Sequence, residues 1–280
     1  MADTALVLGG GGITGVGWEI GMLAGLAEAG ADLSAAGVVI GTSAGSVVGA
    51  QLTSGLLGLE ELYERQLADP TGEIAARMGP AVISRYALAA LRSRDSTSFG
   101  ARVGRMALQS RTPSEGERRA VIAQRLVSHS WPDRRLVITA VDAVTGGLKA
   151  FDRTSGVDIV DAVAASCAVP GVWPPVTIDG RRWIDGGVRS TANADLAAEY
   201  GRVVILAPMT GGGGPVPAAG AQAAQLTASG ARVVLLTPDR TARAAFGRNP
   251  LDPARRAAAA RLGRAQAGAH AAAVAAVWAD

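Results

Sequence analysis

The chain has 280 residues, 49% of them hydrophobic and 4% aromatic, with a formal net charge of +3. That length and apolar content allow a substantial core and exclude a disordered chain, while Gly, Arg or Asp break every apolar stretch well short of the ~20 residues a membrane-spanning helix needs. The basic residues are all Arg except Lys149 and are not interleaved with aromatic rings, so nucleic acid is not an expected partner. Met1-Ala2-Asp3-Thr4 runs into the apolar Ala5–Leu8 without a basic leader, and the single Cys167 leaves no partner for a disulfide, so a cytoplasmic protein is expected. In the tail, Arg255, Arg256, Arg261 and Arg264 read first as a solvated helix face. They could also hold the protein peripherally on the inner membrane face, at about 1 kcal/mol per cation.

In chain order, Ala5–Leu8 predicts a buried strand, Gly9–Gly12 a turn and Trp18–Ala29 an amphipathic helix ended by Gly30. Val38–Ile40 predicts a second buried strand, and a helix starts at Ser43 with Gly55 as its stop. Helical patterns rich in Arg and Ser follow, predicting a helical insertion over about 56–130 that carries substrate selectivity. Strand signals return at Arg135–Ala140 and Leu148–Phe151 around the turn Thr145-Gly146-Gly147, then at Val176–Ile178, Arg182–Ile184, Val203–Leu206 and Val233–Leu236. Gly211–Gly214, followed by prolines, reads as a mobile surface loop. Asp252 and Pro253 open an alanine-rich C-terminal helix over about 253–278. The pattern predicts a single domain over 1–280, a three-layer α/β/α sandwich with a mainly parallel central sheet.

Chemistry concentrates at three points. Gly41-Thr42-Ser43-Ala44-Gly45 stands between a strand and a helix, where a serine nucleophile is presented on a tight turn. Gly9–Gly15 opens the first helix and could offer amides either to an oxyanion or to a pyrophosphate. Gly10, Gly12 and Gly15 do fit the dinucleotide spacing, but the second strand runs straight into the serine turn and leaves no acid for a ribose, so no cofactor is expected. Asp185 ends a strand and is followed by Gly186-Gly187, which frees its carboxylate at a tight loop. For the base, His270 would complete a triad in hydrolase order but lies among alanines mid-helix; His129 and Lys149 have no accompanying motif. No cluster has metal-ligand spacing, so no metal is expected.

These motifs together resemble those of the bacterial patatin-like phospholipases: Gly10-Gly11-Gly12-Ile13-Thr14-Gly15, Gly41-Thr42-Ser43-Ala44-Gly45 and Asp185-Gly186-Gly187, with Ala165–Pro170 and Pro174-Pro175 similar to the stretch before the aspartate. The resemblance covers about residues 4–208. It implies a serine lipid acyl hydrolase of phospholipase A, lysophospholipase or esterase type, acting on a phospholipid or glyceride without calcium. Ser43 would be the nucleophile, Asp185 the base, and Gly10, Gly11 and Gly12 the oxyanion donors. Thr14 stands where the family usually has Lys or Arg, which removes a charge from the turn. An aspartate with a reference pKa near 3.9 must be raised to serve as a base, which predicts a dry pocket, with Trp173 and Trp183 as candidate walls. An acyltransferase or thioesterase on the same chemistry, and a catalytically silent lipid-binding protein, are the alternative functions. Cys167 reads as a small buried side chain.

Overall fold

The computed structural model describes residues 3–279; Met1 and Ala2, part of the segment read above as lacking a leader, and Asp280 lie outside the described residues. The elements in chain order are β1 (Thr4–Leu8), α1 (Gly12–Glu28), β2 (Val38–Thr42) and α2 (Ala44–Ser54), then α3 (Leu59–Leu67), α4 (Pro80–Leu91), α5 (Ser96–Leu108) and α6 (Glu115–Arg125). They continue as β3 (Leu136–Asp142), β4 (Leu148–Phe151), α7 (Ile159–Ser166), β5 (Val176–Ile178), β6 (Arg181–Asp185) and β7 (Arg202–Leu206). The last are α8 (Ala219–Ala228), β8 (Arg232–Leu236), α9 (Arg240–Phe246), α10 (Arg256–Ala267) and α11 (Ala271–Trp278).

The strands form one eight-stranded sheet in the order β5-β6-β3-β2-β1-β7-β8, with β4 also paired to β3. From β3 to β8 all pairs are parallel, whereas β6, β5 and β4 add antiparallel pairs at the other end, so the sheet is mixed. Alternation along the strands divides the core between two faces. Leu6, Leu8, Val39 and Val204 point to the layer of α1, α2, α7 and α10, while Ala5, Val7, Val38 and Val203 point to the layer of α8 and the chain around Ala194–Tyr200. This is the α/β/α sandwich expected from the sequence.

Three expectations are corrected. The first helix starts at Gly12, not Trp18, six residues earlier than a reading from apolar periodicity alone allows, and glycines open the helix itself. The tail is not one helix: a 3-10 turn at Pro253–Arg255 leads into α10, and the chain breaks at Gly268–His270 before α11. The tail arginines are mostly engaged with the protein. Arg264 pairs with Glu28 and Glu60, Arg256 donates to the carbonyls of Gln66 and Ala68, and Arg255 pairs with Asp252. Gly211–Gly214 is exposed and carries an isolated bridge from Gly213 to Val216.

The helices between β2 and β3 divide in two. α3 and α6 join the α1/α7 layer, whereas α4 and α5 close over Val141 and Ile184 through Tyr86, Ala89, Ala90 and Phe99. Among the described residues no helix is long and apolar enough to cross a membrane.

Candidate active site

Ser43 and Asp185, distant in sequence, meet because of the register on β3. Thr42 at the end of β2 pairs with Thr139, and Asp185 at the end of β6 pairs with the next residue, Ala140. Since β4 occupies one edge of β3 over Ile138–Val141, β6 adds to the edge where β2 has just ended and approaches it head to head. Ser43 Oγ donates a 2.7 Å hydrogen bond to Asp185 Oδ2.

The turn at Ser43 is strained. Its φ of 52° and ψ of −113° place a non-glycine residue where the backbone costs about 1–3 kcal/mol. The peptide is pinned on both sides: its N–H donates to Ser166 Oγ at 2.8 Å, and its carbonyl accepts from Ser46 Oγ at 2.7 Å and from the Cys167 thiol at 3.3 Å. The stretch Ala165–Pro170 therefore supplies two of the groups that hold the serine. Gly45 passes the Leu8 carbonyl so closely that any Cβ would overlap it, which is why the motif needs a glycine there. Cys167 is buried, and burial raises its thiol pKa, in keeping with an inert packing side chain.

Asp185 is buried, with its Oδ1 accepting the Gly187 N–H at 2.7 Å. Burial pushes its carboxyl up to about 6, opposed by the Ser43 hydroxyl, the Gly187 amide and the charge of Arg118. A carboxyl there is ionised near neutral pH yet basic enough to take a proton.

The three glycines of the turn are not equivalent. The Gly10 amide donates to Thr191 O at 2.7 Å, so it is engaged and departs from the expected donor role. The amides of Gly11 and Gly12, at the start of α1, and of Ala44, at the start of α2, have no hydrogen-bond partner among the described residues. Both helix N-termini thus point free N–H groups and positive dipole ends toward the serine turn. Gly12 has φ +61°, and a Cβ there would lie 2.5 Å from Pro250 O. Thr14 uses its hydroxyl to bond the carbonyls of Gly11 and Pro250, each at 3.3 Å, so the residue in the usual basic position ties the turn to the loop before α10.

Two residues that sequence reasoning missed complete the surroundings. Asn193 is fully buried with φ 50°, and its Nδ2 reaches Ser190 O at 2.9 Å, Thr42 Oγ1 at 3.1 Å and Gly186 O at 3.2 Å, clamping the end of β2 to the loop after Asp185. Arg118 of α6 is 3% exposed and lies 3.9 Å over the ring of Trp173, yet its Nε and Nη1 are buried without a hydrogen-bond partner. Burial pulls its guanidinium pKa down to about 10, helped by Arg125 and resisted by Cys167, Glu73 and Asp185. Arg118, Trp173, Cys167 and Ser43 share a recess of about 20 Å³, room for one small polar group.

On the other side of Ser43 lies a cavity of about 390 Å³, walled by Met78, Ile83, Tyr86, Phe99, Val188 and Met209, with Ser43 and Asp185 among its lining groups. Arg248–Leu251 close part of its wall, and Asn249 anchors that loop to Ala76 O at 2.8 Å. Trp183 does not line the cleft; it packs edge-on against Phe151 in the core, with ring centroids 5.3 Å apart. Neither histidine lines it: His129 contacts Ala123 O, and His270 sits beside Gln266 at the α10–α11 break. Lys149 lies over the Phe151 ring on β4.

Several solved structures are similar to this chain, among them the following two. VipD from Legionella pneumophila shares 14% identity over 74% of this chain and 50% of its own, with a TM-score of 0.39; the type III effector protein ExoU shares 18% over 97% and 53%, with a TM-score of 0.42. The chain therefore spans about half the length of each. No curated protein sequence matches it significantly. The family profile described as patatin-like phospholipase matches residues 6–198, well over half of the chain, with both Ser43 and Asp185; Met209, Val216 and the Arg248–Leu251 loop of the cavity wall lie beyond it. The chain belongs to the patatin-like phospholipase family.

Proposed function

We propose that the protein is a lipid acyl hydrolase working through a Ser43–Asp185 dyad and an acyl-serine intermediate. Family membership supports lipid hydrolysis in general, and the observation that carries the finer reading is the 2.7 Å bond from Ser43 Oγ to a buried carboxylate with no histidine in the cleft. As Oγ attacks the ester carbonyl, Asp185 takes the hydroxyl proton, and the amides of Gly11 and Gly12 receive the developing oxyanion, with Gly10 anchoring the turn. Collapse breaks the bond to the alcohol, which leaves with the proton held by Asp185. Water then gives a proton to Asp185 and attacks the acyl-serine, and the fatty acid departs as Ser43 regains its proton.

The apolar cavity suits the acyl chain, each buried methylene contributing about 0.8 kcal/mol. A fluorophosphonate probe should add its mass to Ser43 in wild type and not in Ser43→Ala, in parallel with hydrolysis of a short p-nitrophenyl ester. A wild type that neither labels nor hydrolyses would instead fit a silent lipid-binding protein; release of acyl groups to added alcohols or thiols in preference to water would fit an acyltransferase.

The buried, unpartnered guanidinium of Arg118 favours a substrate with a negative group beside the scissile ester, a phospholipid or lysophospholipid over a neutral glyceride. Its charge replaces the one missing at Thr14 from a different element, and one phosphate oxygen fills the recess it shares with Ser43. A hydrogen bond to a charged group contributes about 1.5–3 kcal/mol. Arg118→Met should therefore lower kcat/KM for a lysophospholipid about 10- to 100-fold more than for the monoacylglycerol of the same chain. Equal losses on the two substrates would mean that Arg118 acts only on Asp185 or on the fold.

A further inference from the structure

The arginines gathered free to meet a partner are on α4 and α5; of the tail arginines Arg255, Arg256 and Arg264 are engaged, and Arg261 alone of those four is exposed without a partner among the described residues. Between residues 77 and 111 there are seven arginines, all exposed, and one acid, Asp95. Four of them, Arg85, Arg92, Arg102 and Arg105, line a groove of about 340 Å³ between the two helices, together with Ala89 and Met106 and with the exposed Leu88 at its edge. None of the four forms an ion pair or a side-chain hydrogen bond among the described residues. Like charges gathered without partners repel one another, and an anionic surface relieves that repulsion.

The outer face of α4 is apolar as well as basic. The helix buries none of its residues completely, and Leu91 is 85%, Ile83 53% and Leu88 45% exposed. At about 100° per residue, Ile83 falls on the flank toward the cavity at Ser43, Leu91 and Leu88 on the outward arc, and Arg85 and Arg92 on the opposite flank. A helix with an apolar arc bordered by arginines is built to lie in a lipid interface. Ile83 and Tyr86 of α4 and Phe99 of α5 also wall the cavity, so this surface is continuous with the substrate opening.

We propose that α4 and α5 dock the protein on a bilayer containing anionic phospholipid, with lipid phosphates in the arginine groove and Leu88 and Leu91 among the acyl chains. Nucleic acid fits the charge but not the apolar arc, and the segment's two aromatic residues, Tyr86 and Phe99, are turned inward. The docking surface goes beyond the catalytic reading, because vesicle binding is read without Ser43 chemistry.

The test is cosedimentation of the full chain with vesicles of non-hydrolysable ether-linked phosphatidylcholine, alone or with about 30 mol % ether-linked phosphatidylglycerol. Each cation at such a surface contributes about fivefold to partitioning, so Arg85→Ser/Arg92→Ser should weaken binding to the anionic vesicles about 25-fold. Leu88→Ser/Leu91→Ser should weaken it about tenfold or more by removing the inserted arc. Both double variants should hydrolyse a soluble short-chain ester within about twofold of wild type, since none of the four residues lines the cleft. The proposal is overturned if wild type binds neutral and anionic vesicles alike or not at all, or if the arginine pair can be lost without effect. It is also overturned if that pair governs binding of duplex oligonucleotide and not of vesicles. Loss of ester hydrolysis by wild type itself would count against the catalytic reading and leave the vesicle result standing.

Discussion

Asp185→Asn should lower kcat for ester hydrolysis by about 10³–10⁴-fold, the share general-base removal takes from a serine nucleophile, while leaving the fold intact. The substitution is nearly isosteric: Oδ1 can still accept the Gly187 amide, and the new amide group can donate to Ser43 Oγ. What is lost is the capacity to accept the hydroxyl proton. Because the wild-type carboxyl is pushed up to about 6, kcat/KM should fall about tenfold per pH unit below that value and level off above it. The residual activity of the Asn variant should lack this inflection. A variant retaining more than about a tenth of wild-type kcat, or a wild-type profile with no inflection near 6, would remove Asp185 from the base role.

The same shift makes a stability statement whose sign is opposite to that of an ordinary paired carboxylate. The folded pKa lies near 6 and the unfolded reference is 3.8, so between these values the folded state binds more protons and stability falls as pH rises. Above about 6 the ionised Asp185 costs the fold on the order of 3 kcal/mol, and below about 4 that cost is absent. Asp185→Asn should therefore melt several degrees above wild type at pH 8, with the gap closing toward pH 4. A gain in stability joined to a loss of activity is what a strained, desolvated site predicts.

How much of this was legible in the residues depends on how far apart the partners lie. Short-range signals read well: Gly41–Gly45 between strand and helix, Gly55 at the left-handed C-cap of α2 and Asp252 capping the turn at Pro253 all stand where local chemistry puts them. The start of α1 was misplaced because glycines carry no apolar period, so the helix became visible only at Trp18. Arg118 and Asn193 gave no local signal. An arginine in a helical run and an asparagine after an Asp-Gly turn read as solvated until the fold carries one onto Trp173 and the other between Thr42 and Gly186. Trp183 shares the face of β6 that carries Asp185, but it stands two residues back from the strand end, where it meets Phe151 in the core instead of the cleft.

The segment beyond residue 198, outside the family match, is proposed to be part of the same folding unit, and Gly21 is the place to test it. Gly17, Gly21 and Gly25 recur every fourth residue along α1, a spacing present in the sequence whose use appears only when α10 is laid against it. A Cβ on Gly17 would lie 2.5 Å from Arg256 O and one on Gly25 2.6 Å from Arg264 O, while one on Gly21 would overlap Ala260 O outright. From the other side Gly263 meets the Trp18 carbonyl in the same way, so the two helices touch backbone to backbone. A rigid carbonyl cannot yield as a flexible side chain can, so Gly21→Val must push α10 away from a helix whose Gly11–Gly12 turn stands beside Ser43. The expected loss is on the order of 4 kcal/mol, or failure to accumulate folded protein, with ester hydrolysis lost in whatever remains soluble. Gly268→Ala is the control: its backbone is right-handed helical and nothing lies within 4 Å of the added methyl, so it should change stability by less than about 1 kcal/mol. Thermal unfolding of the two variants separates the cases. If Gly21→Val melts with wild type, α10 is a detachable cover, and the loop Arg248–Leu251 that it carries into the cavity wall can be trimmed without harm to the site.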